Sequence, residues 1–170
     1  MSQKDRLMFI TKNTASFRDP GGFLFRQDGV LYRQVNLIYR QHYKHLMQSG
    51  LYDNLIKAGL LIAHQEVESV PVESVLAYKV IQPEEVQFIS YPYEWSFSQL
   101  KDAALVTLEI EKRALSFGMT LKDSSAYNIQ FYRGRPLLVD SLSFEIYQEG
   151  KPWDAYRQFC QHFLAPLSLM

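Results

Sequence analysis

Apolar and polar positions alternate early in the chain and recur at helical spacing later. Phe23-Leu-Phe25 and Val30-Leu-Tyr-Arg-Gln-Val35 flank Arg26-Gln-Asp-Gly29. Asp-Gly between two β-prone runs predicts a hairpin. From Asn36 to about Ala63 the pattern is helical, with Leu37, Tyr39, Tyr43, Leu46 and Met47 close to one face and breaks at Ser49-Gly50 and Gly59. Residues 67–73 are acidic and loop-like around Pro71. Two strands follow, Ser74–Ile81 and Val86–Ser90, joined by Gln82-Pro-Glu-Glu85. A further short strand is expected around Leu7–Thr11, within a lead-in that covers residues 1–20.

The second half is organised by one helix and what it delivers. Ser96-Phe-Ser-Gln99 is a capping box, since the Ser96 hydroxyl and the Gln99 amide can each satisfy an orphan N–H at the helix start. The helix runs to about Phe117, with Phe97, Leu100, Ala104, Leu108 and Leu115 on its expected buried side and Gly118 at its end. Next come a loop, Leu121-Lys-Asp-Ser-Ser-Ala-Tyr-Asn128, a strand, a Gly134 turn and a second strand, Pro136-Leu-Leu-Val-Asp140. Ser143–Tyr147 is a short strand or extended link. Trp153–Leu164 is helical, with Trp153, Tyr156, Phe159, Cys160 and Phe163 on one side.

Composition narrows the picture. The chain has 170 residues, of which 47% are hydrophobic and 14% aromatic, enough for a folded core. Eighteen basic and eighteen acidic side chains give a formal charge of zero, which offers no support for a nucleic-acid partner. Cys160 is the sole cysteine, so an intrachain disulfide and a cysteine zinc cluster are excluded. No segment approaches the ~20 apolar residues of a membrane span, and no secretory core follows the N-terminus. No membrane association and a cytoplasmic location are therefore expected. His42, His45 and His64 lack ligand spacing and read as surface or interface groups.

Candidate chemistry lies in Asp123, Asn128 and Asp140. A phosphoryl-transfer site needs a carboxylate near the attacking hydroxyl and hard oxygen ligands for Mg²⁺. The spacing from Asp123 to Asn128, with Asp140 ending the next hairpin, resembles the protein-kinase catalytic loop and its metal-binding Asp. Leu121-Lys122 stand in place of His-Arg, and Ser141-Leu142 in place of Phe-Gly. On that resemblance Asp123 is the catalytic residue and Asn128 and Asp140 are the metal ligands. Arg33 or Lys79 would touch phosphate. The Tyr91-Pro-Tyr93-Glu-Trp95 link resembles a hinge that pairs with an adenine edge. The competing reading is ordinary Asp and Asn turn chemistry, a solvent-facing Arg33 and an aromatic corner. No Gly-rich phosphate loop is present.

The implied fold is α+β and protein-kinase-like: an antiparallel small lobe, then the first, helical part of a large lobe with a catalytic-loop hairpin. The expected division is a lead-in over 1–20, small lobe and link over 21–95, and partial large lobe over 96–170. The implied cofactors are ATP and Mg²⁺, with a nucleotide or small-molecule substrate.

Longer stretches resemble a bacterial family. They are Arg18-Asp-Pro-Gly-Gly-Phe, Leu31-Tyr-Arg-Gln-Val35, Tyr91-Pro-Tyr-Glu-Trp-Ser-Phe97, Leu121–Phe131 and Trp153–Leu167. The family resembles class I SAM-dependent methyltransferases related to rhizobial host-specific nodulation proteins. The resemblance implies an N-terminal module, with a SAM-binding methyltransferase domain beyond residue 170 as its partner. SAM would bind only there, because no Gly-rich strand-to-helix turn occurs here. Three readings stay open: Mg-ATP-dependent phosphoryl transfer to a small molecule, a pseudokinase-like module that binds substrate or scaffolds the methyltransferase, or a purely structural domain with ordinary turns.

Overall fold

The computed structural model describes residues 10–12, 19–68 and 71–170. The chain forms two compact units, one comprising the residues up to Arg40 with His64–Glu85, the other Gln41–Ala63 with Val86–Met170. The expected division set boundaries near residues 20 and 95; in these units residues 41–63 group with the later part of the chain.

In the first unit, β1 (Ile10–Lys12), β2 (Gly22–Gln27), β3 (Val30–Asn36), β4 (His64–Val67) and β5 (Ala77–Pro83) form an antiparallel sheet in the order β1-β2-β3-β5-β4. Leu7–Phe9 of the expected first strand lie outside the described residues. The β2–β3 hairpin closes through Asp28 and Gly29, both at positive φ (49° and 84°). This two-residue turn matches the twist of the flanking strands and favours Asp-Gly. Phe25, Val35, Val80 and Ile81 form the core of the sheet. The buried Gln34 amide donates to Asn36 Oδ1 (2.9 Å) and the Glu73 carbonyl (3.1 Å), and accepts from the Glu73 N–H (3.0 Å). A buried amide is tolerated because its groups are so matched.

Two strand expectations are corrected here. Val86–Ser90 is not a strand; Phe88 and Ile89 are exposed, and no strand among the described residues pairs with them. β5 lies between β3 and β4, the latter a polar His-Gln-Glu-Val segment whose strand identity comes from the edge it occupies.

The helical run expected from Asn36 breaks at Ser49-Gly50 and stops before Gly59 as expected, but it starts late. Asn36 ends β3, Leu37–Tyr39 is a 3₁₀ turn, and α1 (Arg40–Gln48) and α2 (Leu51–Lys57) follow. Leu37 is exposed, whereas Tyr39, Tyr43 and Leu46 are buried. Residues 60–62 are extended and bond to Leu138, from Leu138 N–H to Leu60 O and from Ile62 N–H to Leu138 O, both at 2.9 Å.

The second unit is built on α3 (Phe97–Ser116). The Ser96 N–H donates to Gln99 Oε1 (2.9 Å) and the Gln99 N–H to Ser96 Oγ (3.4 Å), forming the expected capping box. Gly118, at φ +70°, lets the chain leave the helix in the left-handed region. The buried stripe is Leu100, Ala103, Ala104, Thr107, Ile110, Glu111 and Ala114. Phe97, Leu108 and Leu115, expected inside, are exposed. Apolar residues lie on more than one side of this helix, and the side carrying the alanines is the one that packs.

After α3, β6 (Met119–Leu121) pairs with β9 (Phe144–Ile146), and β7 (Ile129–Tyr132) with β8 (Arg135–Leu138). The last segment joins α4 (Tyr156–Phe159), a π-helical turn over Cys160–Leu164, and α5 (Ala165–Leu169). Phe159 and Phe163 bury into the core with Leu46, Leu121 and Phe144, while Tyr156 is exposed with its ring 6.2 Å from that of Trp153. Among the described residues, no helix is long and apolar enough to cross a membrane.

Candidate active site

The loop after β6 carries the predicted residues. Asp123 Oδ1 accepts the Ser125 N–H (2.9 Å), and Ser125 Oγ accepts the Tyr127 N–H (3.2 Å). Such short side chains can replace backbone turn bonds. A 3₁₀ turn over Ala126–Asn128 leads into β7. At the open end of the β7–β8 hairpin the Val139 N–H donates to Asn128 O (2.8 Å). Asp140 Oδ1 accepts the Leu142 N–H (2.7 Å).

Ser143, 1% exposed, joins these pieces. Its carbonyl accepts the Lys122 N–H (2.8 Å), and its own N–H donates to the Asp140 carbonyl (3.2 Å). Its hydroxyl accepts from Asn128 Nδ2 (3.3 Å). The residue preceding Asp123, the Asn128 side chain and the Asp140 backbone therefore share one buried serine. Asn128 and Asp140 thus flank the open end of the hairpin, and the backbone of the loop that carries Asp123 is tied to the same serine. Both aspartates also make the turn bonds of the competing reading.

The α4–π segment holds the loop from behind. The Ser124 N–H donates to Gln158 Oε1 (2.7 Å), and Ser124 Oγ donates to Ala155 O (2.7 Å). The Ala126 N–H donates to His162 Nδ1 at 3.2 Å, and Ser125 Oγ lies 3.2 Å from the same nitrogen. Nδ1 is thus an acceptor, which assigns the proton of the neutral ring to Nε2. Replacing Gln158 by Ala is expected to cost about 1–2 kcal/mol, since a part-buried N–H loses its acceptor. Faster amide exchange at Ser124 than at Ile129 would locate the effect; unchanged exchange at Ser124 would rule out this anchor.

The hinge-like link is internally engaged. The Tyr91 N–H donates to Glu94 Oε2 (2.7 Å), and Tyr91 O accepts the Glu94 N–H (2.8 Å). The Gln130 amide meets both Ser90 N–H and Ser90 O at 3.0 Å. The Tyr91 and Tyr93 rings are exposed and stacked, 5.4 Å between centroids. An adenine edge at Tyr91 would have to displace the Glu94 contacts.

The candidate cations belong to the first unit. Arg33 is buried, 6% exposed, with Asp19 Oδ2 at 3.6 Å, which overturns a solvent-facing Arg33. Lys79 Nζ is exposed and lies 2.6 Å from Glu66 Oε2; that hydrogen bond raises its pKa.

The three histidines expected at the surface or an interface are half-buried. His42 Nδ1 accepts the Ile146 N–H (3.0 Å), and burial lowers its pKa. His45 lies with Nε2 2.9 Å from Phe117 O, and since a carbonyl only accepts, Nε2 carries the proton. His64, on β4, is partly buried, and burial lowers its pKa to about 4.

Sequence reasoning passed over Ser143, Gln158, His162, Gln130 and Glu111. Four are polar residues within or beside ordinary β or helical patterns, with no spacing signal. Glu111 alone left a trace, the one charged side chain on the buried stripe of α3. Its two oxygens accept from Thr120 Oγ1 and the Leu121 N–H, both at 2.7 Å. Burial raises its pKa against those two bonds.

No family model matches the chain. The solved structure of vaccinia related kinase 3 is similar at 13% identity and a TM-score of 0.49, over 81% of this chain and 47% of that one. In sequence, the chain is 35% identical over 158 residues to the nodulation protein NoeA of Rhizobium meliloti (strain 1021), a match that takes in 91% of this chain but spans only about a third (32%) of that relative's length.

Proposed function

We propose that the second unit carries the acidic half of a Mg²⁺- and ATP-dependent site for phosphoryl transfer to a small-molecule hydroxyl, within a longer protein related to NoeA. The supporting observation is the joint anchoring of Lys122, Asn128 and Asp140 at Ser143. Asp123 orients the acceptor hydroxyl and takes up its proton. Asn128 donates an amide N–H to Ser143, which leaves Oδ1 as a hard acceptor, and Asp140 would add a carboxylate from the other end of the hairpin. Among the described residues, no three His, Cys, Asp or Glu side chains form a metal cage. An amide oxygen and a carboxylate suit Mg²⁺, which keeps waters and shares phosphate oxygens. Bound ATP would supply the γ-phosphoryl group, with ADP as the leaving group, and Mg²⁺ would offset the phosphate charge. Arg33 and Lys79 carry no role here, each facing an acid of the first unit.

A second reading has its own support. The Ser90 and Tyr91 backbone groups are engaged by Gln130 and Glu94, which favours a non-catalytic module that binds substrate or scaffolds a methyltransferase. On either reading, SAM binding belongs to the part of the longer protein outside this region, and a cytoplasmic location accords with a nucleotide partner.

Thermal unfolding with ATP and Mg²⁺ separates the two. ATP at 100 times its Kd is expected to stabilise by about 2.7 kcal/mol, or roughly 5–10 °C at this chain length. The rise should vanish with EDTA and in Asp140→Ala. A rise that survives in Asp140→Ala removes the metal site. No rise at all leaves the non-catalytic module.

A further inference from the structure

The second unit also holds a cavity of about 190 Å³ that shares no residue with the loop above. Glu111 and Thr120 line it from α3 and β6, Glu145 from β9, and Tyr147, Lys151 and Trp153 from the chain that follows. Its volume equals the liquid share of about six waters, so it suits a ligand of similar heavy-atom count.

Its charge is unbalanced. Two carboxylates, Glu111 and Glu145, face one ammonium, Lys151. Lys151 Nζ lies 2.7 Å from Asp154 Oδ2 and 4.0 Å from Glu145 Oε1, so its hydrogen bond goes to Asp154. Glu111 is 7% exposed, and its partners, a hydroxyl and a backbone N–H, are neutral. A buried carboxylate is costly without a counter-charge, and each of its oxygens can accept a further bond. The wall beside it is aromatic and fixed, because Trp153 Nε1 donates to Leu121 O at 2.8 Å. Aromatic faces with carboxylates are the surroundings that attract an organic cation.

We propose that this cavity binds a small primary amine with a short apolar tail, its ammonium against Glu111 and Glu145 and its tail along Trp153. The site stands independently of the phosphoryl-transfer reading and is tested without nucleotide.

The probe is n-pentylamine, titrated into the chain while the Trp153 indole N–H is followed by NMR. Its isostere 1-pentanol and a capped peptide with a central lysine are the controls. Saturable movement of the Trp153 signal is expected with pentylamine, with binding at least about tenfold weaker for pentanol. A similar loss is expected in Glu145→Gln, which leaves the Glu111 bonds in place, and in Glu111→Gln. Equal binding of amine and alcohol, or no movement of Trp153, overturns the proposal. Binding of the peptide without binding of pentylamine overturns it as well, by showing a peptide side chain to be the ligand.

Discussion

Truncating Phe163 to alanine is expected to destabilise the second unit by about 3–5 kcal/mol, the cost of removing a buried phenyl ring and leaving its space partly empty. Phe163 is fully buried, and its ring centroid lies 5.2 Å from that of Phe159. It belongs to the core shared by α3, β6 and β9. The effect should reach the loop, because Phe163 lies in the π turn that presents His162, and Phe159 follows Gln158. A chain that loses this anchor loses the groups that hold Ser124 and Ala126. Urea denaturation, followed in the second unit, measures the first effect, and amide exchange at Ala126 the second. Leu164→Ala is the control: Leu164 is 44% exposed and should shift stability by no more than about 0.5 kcal/mol. A loss below about 1 kcal/mol for Phe163→Ala would mean that the π turn does not pack as described.

Acidification is expected to weaken the first unit through His64. Its pKa is about 4 in the fold, because burial disfavours the charged ring; Glu66 works against this and Arg33 with it. In the unfolded chain the value returns to about 6.5. Above that, the ring is neutral in both states and no proton linkage acts. As pH falls from about 6.5 towards 4, the unfolded state takes up the proton first, and stability is lost through this window. Below the folded value both states are protonated and the loss is complete. The gap between the two values corresponds to roughly 3 kcal/mol. Unfolding of the first unit at pH 7 and pH 4.5, in wild type and His64→Gln, isolates this contribution from the carboxylates. Identical pH profiles in the two proteins would exclude His64 as the cause.

The elements that local chemistry dictates are legible in the order of residues. Asp28-Gly29 requires two consecutive positive φ values, and Ser96 with Gln99 closes a reciprocal cap. Both depend on contacts within four residues. The order of an antiparallel sheet, a link, a long helix and a small hairpin follows from the same local signals. The polar candidates Asp123, Asn128 and Asp140 can be named from their spacing, and Asn128 and Asp140 flank the open end of one hairpin.

What failed depended on partners distant in sequence. β4 has no alternating pattern and is a strand because the edge of β5 accepts it. In α3, Leu108 and Leu115 are as apolar as Leu100, so periodicity alone does not choose the inner face. The close-packing alanines and the Glu111 bracket to β6 do. Arg33 looked like a surface cation, yet the sheet buries it beside Asp19. Nothing around Ser143 or His162 marks either residue as an anchor, because their roles exist only once β9 and the π turn reach the loop.

The sequence by itself thus determined the turns, the helix cap and the identity of the polar loop residues, since these are governed by backbone sterics and short-range hydrogen bonds. Tertiary structure decided which faces are buried, which charges are desolvated and which side chains hold the loop, because burial and long-range pairing arise only when separate segments exclude water from one another.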